Sequence, residues 1–378
     1  MFRKSAWYVV LALVCSSVLA GCPFAYKTAI APAPLDQGWV SEKATFNKTV
    51  HYGTTRIDKC ETSGQAVCRT MPDRFDTGNE ATAEQIKYGA AIVKIPYAKK
   101  IGGIEGMSLL RLNDLDREAF KRNISSDDIF IFIHGFNNGF QEAAARCAQL
   151  AFDLNFQGKA VFFSWPAGTE TLGYDKDKRR ADENVTHLHQ FLSNIAESTD
   201  KKIHIIAHSM GNYLLVKTLS EMDARIATND TFLLKRRTKH GGKLFNQIVL
   251  AAPDVAQDTF RPLFAEHLRK LADNYTLYST YNDLALRLSR GINFLIEKDG
   301  TYRLGDSHAD FFTIDGLDTV DARLEVGTQV FGHSYYANYP LLITDMYLLF
   351  NYGARPENRF LLKVQDDRNQ LLWFLRPD

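Results

Sequence analysis

The residues around Ser209 are the part of this sequence best suited to covalent chemistry. Ser209 stands between two small residues, Ala207 and Gly211. An apolar run precedes it at 203–207, and a helical pattern follows at 213–222. Small residues on both sides of a serine let a strand and a helix meet in a sharp turn, which lifts the serine oxygen clear of the sheet. The pattern predicts a nucleophile elbow, with Ala207 where the first glycine of G-x-S-x-G usually stands and Ser209 as the nucleophile.

A His-Gly turn upstream is a second candidate part of the same site. His134 and Gly135 directly follow the apolar run 129–133. A backbone N–H on such a turn can supply one donor of an oxyanion hole, which binds the negative oxygen of a tetrahedral intermediate. We expect this donor to be the Phe136 N–H and the second donor to be the Met210 N–H. His134 itself is interpreted as a structural histidine, because the mechanism needs no second catalytic base.

A serine nucleophile also needs an acid and a histidine base, which follow the elbow in that order. Asp283 and Asp254 each follow a predicted strand, and Asp283 is preferred because the acid most often follows the strand before last. Asp254 is the alternative acid and is otherwise a supporting or helix-capping residue. His333 is the preferred base, since it lies in a short polar loop after the last predicted strand, at 311–314. His308, which precedes that strand, is the alternative base.

The N-terminus has the organisation of a bacterial lipoprotein signal. Two basic residues precede an apolar stretch of 15 residues at 6–20, which is too short to span a bilayer. The stretch leads through small residues to Cys22, which we expect to be acylated and to become the new N-terminus; an ordinary secretory signal is the alternative. Pro23 favours the outer membrane, facing the periplasm. The predicted organisation is a signal peptide at 1–21, a tether at 22–45 and one domain at 46–378.

The other cysteines have different roles. Cys60 and Cys68 are eight residues apart in a loop-like segment of a chain bound for an oxidising compartment. They are therefore candidates for a disulfide, with two free thiols as the alternative. Cys147 has helical spacing to apolar neighbours and is interpreted as a core residue.

The charge and motif content exclude several classes of partner. The chain has 45 Lys and Arg against 44 Asp and Glu, and two of the basic residues lie in the signal segment. No strong field remains to attract nucleic acid. No H-E-x-x-H pattern, no paired Cys and His ligand spacing and no convincing nucleotide-binding glycine pattern is present. We therefore predict no metal, no cofactor and no nucleic-acid partner.

The elements that must position these residues alternate along the chain. Apolar runs of about five residues separated by helical patterns predict a mostly parallel sheet, buried on both faces and flanked by helices. The predicted strands are 49–52, 90–95, 129–133, 160–164, 203–207, 248–252, 275–279 and 311–314, and the predicted helices are 140–155, 181–198, 213–222, 339–351 and 359–366.

Seven short blocks, in this order, resemble a bacterial family of α/β hydrolases of unknown function that are esterase- and lipase-like. The blocks are Tyr52-Gly53-Thr54-Thr55-Arg56, Phe132-Ile133-His134-Gly135-Phe136-Asn137, Phe163-Ser164-Trp165-Pro166, Ala207-His208-Ser209-Met210-Gly211, Ala252-Pro253-Asp254, Asn282-Asp283 with Ala285-Leu286, and Gly332-His333-Ser334. The resemblance covers roughly residues 48 to 350. It implies an α/β-hydrolase fold and a catalytic triad, and it implies no substrate.

These observations predict a serine hydrolase that cleaves an ester or related acyl bond of a small-molecule or lipid substrate through an acyl-enzyme. Two alternatives stay open. One is a non-catalytic envelope lipoprotein that keeps the fold as a scaffold. The other is an acyltransferase with the same triad, since only the acceptor that reaches the acyl-enzyme would differ.

Overall fold

A mixed sheet runs through the described part of the molecule. The computed structural model describes residues 45–63, 70–75, 82–168, 173–228, 230–281, 283, 285, 286, 289, 302–307, 311–322, 334–366 and 369–375. These residues form strands β1 (Thr45–Thr54), β2 (Lys87–Pro96), β3 (Ser108–Leu115), β4 (Ile129–Ile133), β5 (Lys159–Ser164), β6 (Ile203–His208), β7 (Phe245–Ala251), β8 (Ala272–Ser279), β9 (Leu317–Asp321), β10 (Leu361–Gln365) and β11 (Leu371–Leu375).

The strand order is β10-β11-β9-β8-β7-β6-β4-β5-β1-β2-β3. Neighbours from β11 to β1 are parallel. The pairs at the two edges, β1 with β2, β2 with β3, and β10 with β11, are antiparallel. The prediction of a mostly parallel sheet is confirmed.

Helices cover both faces of the sheet. The described helices are α1 (Lys59–Ser63), α2 (Arg117–Ile124), α3 (Phe140–Asp153), α4 (Tyr174–Glu183), α5 (Val185–Ser198), α6 (Met210–Ala227), α7 (Thr231–Lys239), α8 (Gln257–Glu266), α9 (Tyr335–Asn338) and α10 (Pro340–Tyr352). Helices α5 and α6 contribute to the apolar cluster on one face, and α3 and α10 contribute to the cluster on the other.

Strand β4 shows why the centre of the sheet is buried on both faces. Its sequence is Ile-Phe-Ile-Phe-Ile, and all five side chains are buried. Because successive side chains of a strand point to opposite faces, Ile129, Ile131 and Ile133 join one apolar cluster, whereas Phe130 and Phe132 join the other. A run without polar residues is therefore what a central parallel strand requires.

The strand order also gathers the loops that carry the candidate residues. Strands β4, β6, β7 and β8 are parallel and adjacent in that order, so their carboxyl ends lie at one edge of the sheet. The chain leaving these ends contains Gly135, Ser209, Asp254 and Asp283 respectively. The fold thus brings four distant segments of the sequence to one place.

The predicted strand at 311–314 is wrong. Those residues form no strand, and β9 begins after them, at Leu317. Phe312 packs against Phe260 of α8, with ring centroids 5.6 Å apart, so its apolar character serves packing outside the sheet. Two of the five residues of β9 are aspartates, so the segment is not an apolar run and the apolar pattern does not predict it as a strand.

Three other element predictions need correction. The predicted helix at 359–366 is wrong, because Leu361–Gln365 pairs with β11 as an edge strand. Phe360 has φ +60°, which interrupts any helix there. The predicted helix at 181–198 is two helices that meet at Asn184. Strand β3 was not predicted, since polar residues interrupt its apolar ones.

Candidate active site

Ser209 occupies the turn between β6 and α6. Its backbone has φ +52° and ψ −125°, a conformation that residues with a Cβ rarely adopt and that costs of order 1–3 kcal/mol. Hydrogen bonds hold it from both sides. The Ser209 N–H donates to the Ala251 carbonyl at 3.0 Å, and the Ser209 carbonyl accepts from the Asp254 N–H at 3.2 Å. This geometry is that of a nucleophile elbow.

The two small residues beside Ser209 differ in how strictly they are required. A Cβ added to Gly211 would lie 2.5 Å from the His134 carbonyl oxygen and 2.8 Å from that of Ile133, so no larger residue fits. Ala207 is fully buried within β6, and its methyl group is accommodated there. The structure therefore explains why alanine stands at one position and glycine at the other.

Asn212 is a part of the elbow that the sequence analysis missed. Its buried side-chain amide donates to the carbonyls of Ala207 (2.9 Å), Ala251 (3.1 Å) and Ser209 (3.3 Å). These carbonyls belong to the ends of β6 and β7 and to the turn itself. The available signal was an amide side chain in the first turn of the helix after the serine, where it can reach back to the strand ends.

The loop after β4 lies directly against Ser209. A Cβ added to Gly135 would lie 2.8 Å from the Ser209 Cβ and 2.9 Å from the His208 carbonyl oxygen. Glycine therefore allows the loop to approach Ser209. Among the described residues, neither the Phe136 N–H nor the Met210 N–H donates a hydrogen bond to a backbone carbonyl.

His134 has the contacts of a structural residue. It is fully buried, and its ring stacks on Trp165 with an interplanar angle of 4°. Its Nδ1 lies 2.9 Å from the Gly135 carbonyl oxygen, and its own carbonyl accepts from Trp165 Nε1 at 2.9 Å. Burial, reinforced by the nearby charge of Arg56, lowers the pKa of His134 to about 3. The imidazole is therefore neutral at physiological pH.

Asp254 is engaged by side chains around it. The Tyr174 hydroxyl donates to its carboxylate at 2.9 Å, and the Ser289 hydroxyl donates at 2.8 Å. Arg303 Nε lies 3.4 Å from the same carboxylate. The Asp254 backbone bonds to Ser209, and its carboxylate contacts three buried polar side chains. Asp254 therefore connects these side chains to the turn that carries Ser209.

Asp283 is also buried, at 3% exposure, and lies four residues beyond the end of β8. Its carboxylate accepts from the Leu286 N–H at 3.1 Å. Burial raises the pKa of Tyr335 well above its usual value, and the negative charges of Asp283, Asp321 and Asp306 contribute further. Asp283 is therefore one of three carboxylates whose charge acts on the segment that begins at Ser334.

That segment lies beside the elbow. The Tyr335 hydroxyl donates to the Tyr278 carbonyl, next to the end of β8, at 3.0 Å. The Tyr336 ring stacks on the His208 ring with centroids 4.6 Å apart, and His208 directly precedes Ser209. The residues that follow position 333 are consequently fixed against both β8 and β6.

Four residues predicted for the site or for the N-terminal anchor lie outside the described residues: Cys22, Cys68, His308 and His333. Cys60 is disulfide-bonded, while its pairing with Cys68 stays a prediction. Cys147 is a free, buried thiol whose pKa is raised by burial, which confirms it as a core residue.

Two negative findings apply to the described ranges alone. No group of three or more His, Cys, Asp or Glu residues in them is placed to hold a metal ion. No helix in them is long and apolar enough to cross a membrane.

Comparison with known proteins gives one family match. The model of the family described as "Alpha/beta hydrolase of unknown function (DUF900)" matches residues 113–350. The match agrees with the predicted α/β-hydrolase fold, which is thereby confirmed. An uncharacterized protein of Nostoc sp., alr1448, is 30% identical over 162 residues, 37% of this chain and 40% of that protein. The match thus spans about two fifths of that relative's length.

Solved structures show weaker likenesses. Esterase B from Lactobacillus rhamnosis has a TM-score of 0.33 and 11% identity, over 83% of this chain and 85% of that chain. A hyperthermophilic esterase from Pyrobaculum calidifontis has a TM-score of 0.31 and 11% identity, over 90% and 92%. Dienelactone hydrolase from Anabaena variabilis has a TM-score of 0.30 and 12% identity, over 72% and 91%. Likenesses of this size carry no inference about activity.

Proposed function

This chain belongs to the DUF900 family of α/β hydrolases, and from that premise we propose that it is a serine hydrolase that cleaves ester or related acyl bonds. The observation that carries the proposal is the backbone of Ser209, held at φ +52° on the tip of a strand-to-helix turn. Two backbone N–H groups without an acceptor among the described residues, those of Met210 and Phe136, belong to the turn and to the loop against it. A nucleophile beside unengaged donors suits acyl transfer.

The proposed reaction has two steps. In the first, His333 takes the Ser209 proton as Oγ attacks the acyl carbonyl carbon, the Met210 and Phe136 N–H groups bind the oxyanion, and His333 returns the proton to the leaving group. In the second, His333 deprotonates a water molecule, which attacks the acyl-enzyme and releases the acid and free Ser209. Asp283 accepts a hydrogen bond from His333 and stabilises the imidazolium in both steps.

Two observations support His333 as the base. It follows β9, which continues the parallel series from the elbow strand through β7 and β8. Tyr336, three residues later, stacks on the residue before Ser209. Three residues span at most about 10 Å, so the chain connection allows an imidazole at position 333 to reach Ser209. The charge of Asp283 acts on Tyr335, as do the charges of Asp321 and Asp306, which is compatible with the same triad.

The surroundings of Asp254 support a different role for it. Its carboxylate already accepts from Tyr174 and Ser289 and faces Arg303. A carboxylate with these partners has less capacity left for an imidazole. Asp254 is therefore a supporting residue that fixes the loop after β7 against the elbow.

We also propose that the enzyme acts in the cell envelope, held to the outer membrane by a lipid on Cys22. The support is the order of Leu19, Ala20 and Gly21 before the cysteine, after a short apolar stretch. A small-molecule or lipid ester in the periplasm is the substrate class that this location offers.

The decisive test is covalent labelling by a fluorophosphonate, which reacts with an activated serine. Wild type should be labelled on Ser209, Ser209→Ala should not be labelled, and Ser198→Ala should behave as wild type. Ser198 is the matched control, because its hydroxyl donates only to the Ile195 carbonyl within α5. Unlabelled wild type, or equal labelling of Ser209→Ala, would contradict the proposal. Hydrolysis of p-nitrophenyl esters of increasing acyl length would then define the substrate class.

A further inference from the structure

We propose that Arg56 is a positioning residue of the oxyanion hole, which acts through Ser164 and His134 to set the direction of the Phe136 N–H. This inference rests on the proposed function, because it concerns the same site. Arg56 touches neither the nucleophile nor an acyl group, and its effect would be carried by a chain of hydrogen bonds.

The Arg56 guanidinium joins the loops that follow β4 and β5. It is fully buried two residues after the end of β1. Nε donates to Ser164 Oγ at 2.8 Å, Nη1 to the Ala167 carbonyl at 3.2 Å, and Nη2 to the Asn138 carbonyl at 2.6 Å. These three acceptors lie in different directions, so they require the planar guanidinium with its several N–H donors. A lysine ammonium group cannot replace it.

The two ends of the chain constrain its bonds. Arginine can only donate, so Ser164 Oγ accepts from Arg56, and its own hydrogen can be given to His134 Nε2, a long contact of 3.4 Å, when that nitrogen carries no hydrogen. A carbonyl can only accept, so His134 Nδ1 carries the hydrogen that bonds to Gly135 O at 2.9 Å. His134 therefore has one N–H donor and one acceptor nitrogen, which agrees with its neutral state.

The last step leads from the Gly135 carbonyl to the Phe136 N–H. The two groups belong to one trans peptide, in which C=O and N–H point in opposite directions. Because His134 holds the carbonyl, the N–H must point away from His134. The next part of the loop is fixed independently, since Asn138 Nδ2 donates to Phe136 O at 2.9 Å while Arg56 holds the Asn138 carbonyl.

The alternative is that Arg56 contributes only to the stability of the fold. A second buried arginine serves as the control that distinguishes this role from the positioning role. Arg236 is another buried arginine, and it donates to the carbonyls of Ala196, Thr199, Lys201 and Leu244. These residues adjoin the start of β6 and β7, at the edge of the sheet opposite Ser209. Arg236→Lys should therefore cost stability without touching the oxyanion loop.

The experiment compares Arg56→Lys with Arg236→Lys in the full chain, at a temperature where both are folded by circular dichroism. The readouts are the second-order rate of fluorophosphonate labelling and the kcat and KM for p-nitrophenyl acetate. Loss of one oxyanion donor costs about 10²–10³ in kcat. We expect Arg56→Lys, which misdirects a donor but keeps it, to lower labelling and kcat by roughly 10–100-fold with KM within about 3-fold. Arg236→Lys should stay within about 3-fold of wild type.

A second variant keeps the test informative if Arg56→Lys does not fold. Ser164→Ala removes one hydroxyl from the middle of the chain and should lower kcat by about 10-fold. Its matched control is Tyr88→Phe, which removes a buried hydroxyl that accepts from Asn194 of α5; Tyr88 lies on β2, four strands from β6. The double variant of Arg56→Lys and Ser164→Ala should be no slower than Arg56→Lys alone, because both changes break one chain.

The outcomes distinguish this inference from the proposed function. Equal rates for Arg56→Lys and Arg236→Lys, or for Ser164→Ala and Tyr88→Phe, would overturn the positioning role while leaving Ser209 as the nucleophile. Fully additive losses in the double variant would overturn the chain through Ser164. Absence of Ser209 labelling in wild type would instead overturn the proposed function itself.

Discussion

Three residues with side chains adopt left-handed backbone conformations at the candidate site: Asn137 in the loop after β4, and Ser209 and Ala252 after β6 and β7. Ser209 has φ +52° and Ala252 has φ +46°, and they follow the adjacent parallel strands β6 and β7. Each conformation costs of order 1–3 kcal/mol and persists only when its surroundings enforce it. At Ser209 and Ala252 the Asn212 amide provides that enforcement, because it donates to carbonyls of both strand ends and of the turn. Strain is thus concentrated where Ser209 projects from the sheet.

The roles of the two candidate acids can be separated by amide substitution. Asparagine keeps the shape of aspartate but favours the wrong histidine tautomer, and this change costs about 10⁴ in kcat in a serine protease. We expect Asp283→Asn to be nearly inactive towards a p-nitrophenyl ester. Asp254→Asn should lose about 10–100-fold, or mainly stability, because it disturbs a supporting network.

The comparison requires equal amounts of folded protein, checked by circular dichroism. An inactive Asp254→Asn beside an active Asp283→Asn would place the acid one strand earlier, after β7. Similar modest losses in both would mean that neither carboxylate orients the base, and the triad would have to be abandoned.

The sequence reveals the elbow but conceals the residues that support it. Ser209 and Gly211 form a local pattern, because their constraint comes from a turn of a few residues. Arg56 acts on Ser164, 108 positions further along the chain, and no spacing rule connects them. Such partners become visible only when the strand order is known, since β1 and β5 are neighbours in the sheet.

At the scale of elements, α9 is held from three sides. Gln149 of α3 donates to the Ala337 carbonyl at 3.2 Å, and Arg146 donates to Asn338 Oδ1 at 2.9 Å. Tyr335 and Tyr336 anchor the same helix on β8 and on His208. A helix of four residues has little stability of its own, so these contacts fix it. Since α9 begins two residues after the proposed base, its attachment limits where that base can lie.

The element that follows, α10, carries a buried acid in an unusual setting. Asp345 is 1% exposed, accepts a hydrogen bond from the Tyr278 hydroxyl, and lies 3.3 Å from Arg359 Nε. Burial raises the pKa of Asp345, the Arg359 charge and the Tyr278 hydrogen bond lower it, and the Asp318 charge raises it, so that the net pKa is about 6. This cluster joins α10, β8 and the turn before β10.

The raised pKa predicts how stability changes with pH. Between about pH 4 and pH 6 the folded chain holds a proton on Asp345 that the unfolded chain has released, so the free energy of unfolding falls as pH rises. A shift of about two units corresponds to about 3 kcal/mol. Relative to Asp345→Asn, which cannot titrate, wild type should lose about that amount between pH 4 and pH 7, measured by urea unfolding. A constant difference across this range would contradict the raised pKa.

Whether the sequence predicts a strand correctly depends on how much of that strand is buried. Strands β4 and β6 were predicted because both faces are covered, and their sequences are correspondingly apolar. Strand β10 was predicted as a helix because four of its five residues are exposed, so burial imposes no strand pattern on it. An edge strand depends on pairing with its neighbour, here β11. The residues of β10 alone do not reveal that pairing.

At the scale of the whole molecule, the first described residue of the chain and the candidate site lie at opposite ends of the strands. The described chain begins at Thr45, the first residue of β1. Strand β1 is parallel to β5, and its far end, Thr54, pairs with Ser164 at the edge where the Ser209 loops gather. Ten residues of strand span about 33 Å. Thr45 is therefore about this distance from the edge where the Ser209 loops gather.

This arrangement predicts that anchoring and catalysis are separable. Cys22→Ser should abolish lipidation and normal processing before position 22, and the protein should leave the membrane fraction. Its kcat for a soluble p-nitrophenyl ester should equal that of wild type within about 2-fold, because a change at the anchor removes no interaction made in the transition state. Mass spectrometry of the wild-type N-terminus is the direct measurement, and a mature chain that begins anywhere but at an acylated Cys22 would refute the anchor. If Cys22→Ser is released but loses activity towards the soluble ester, anchoring and catalysis are coupled, and the separation inferred from β1 is wrong.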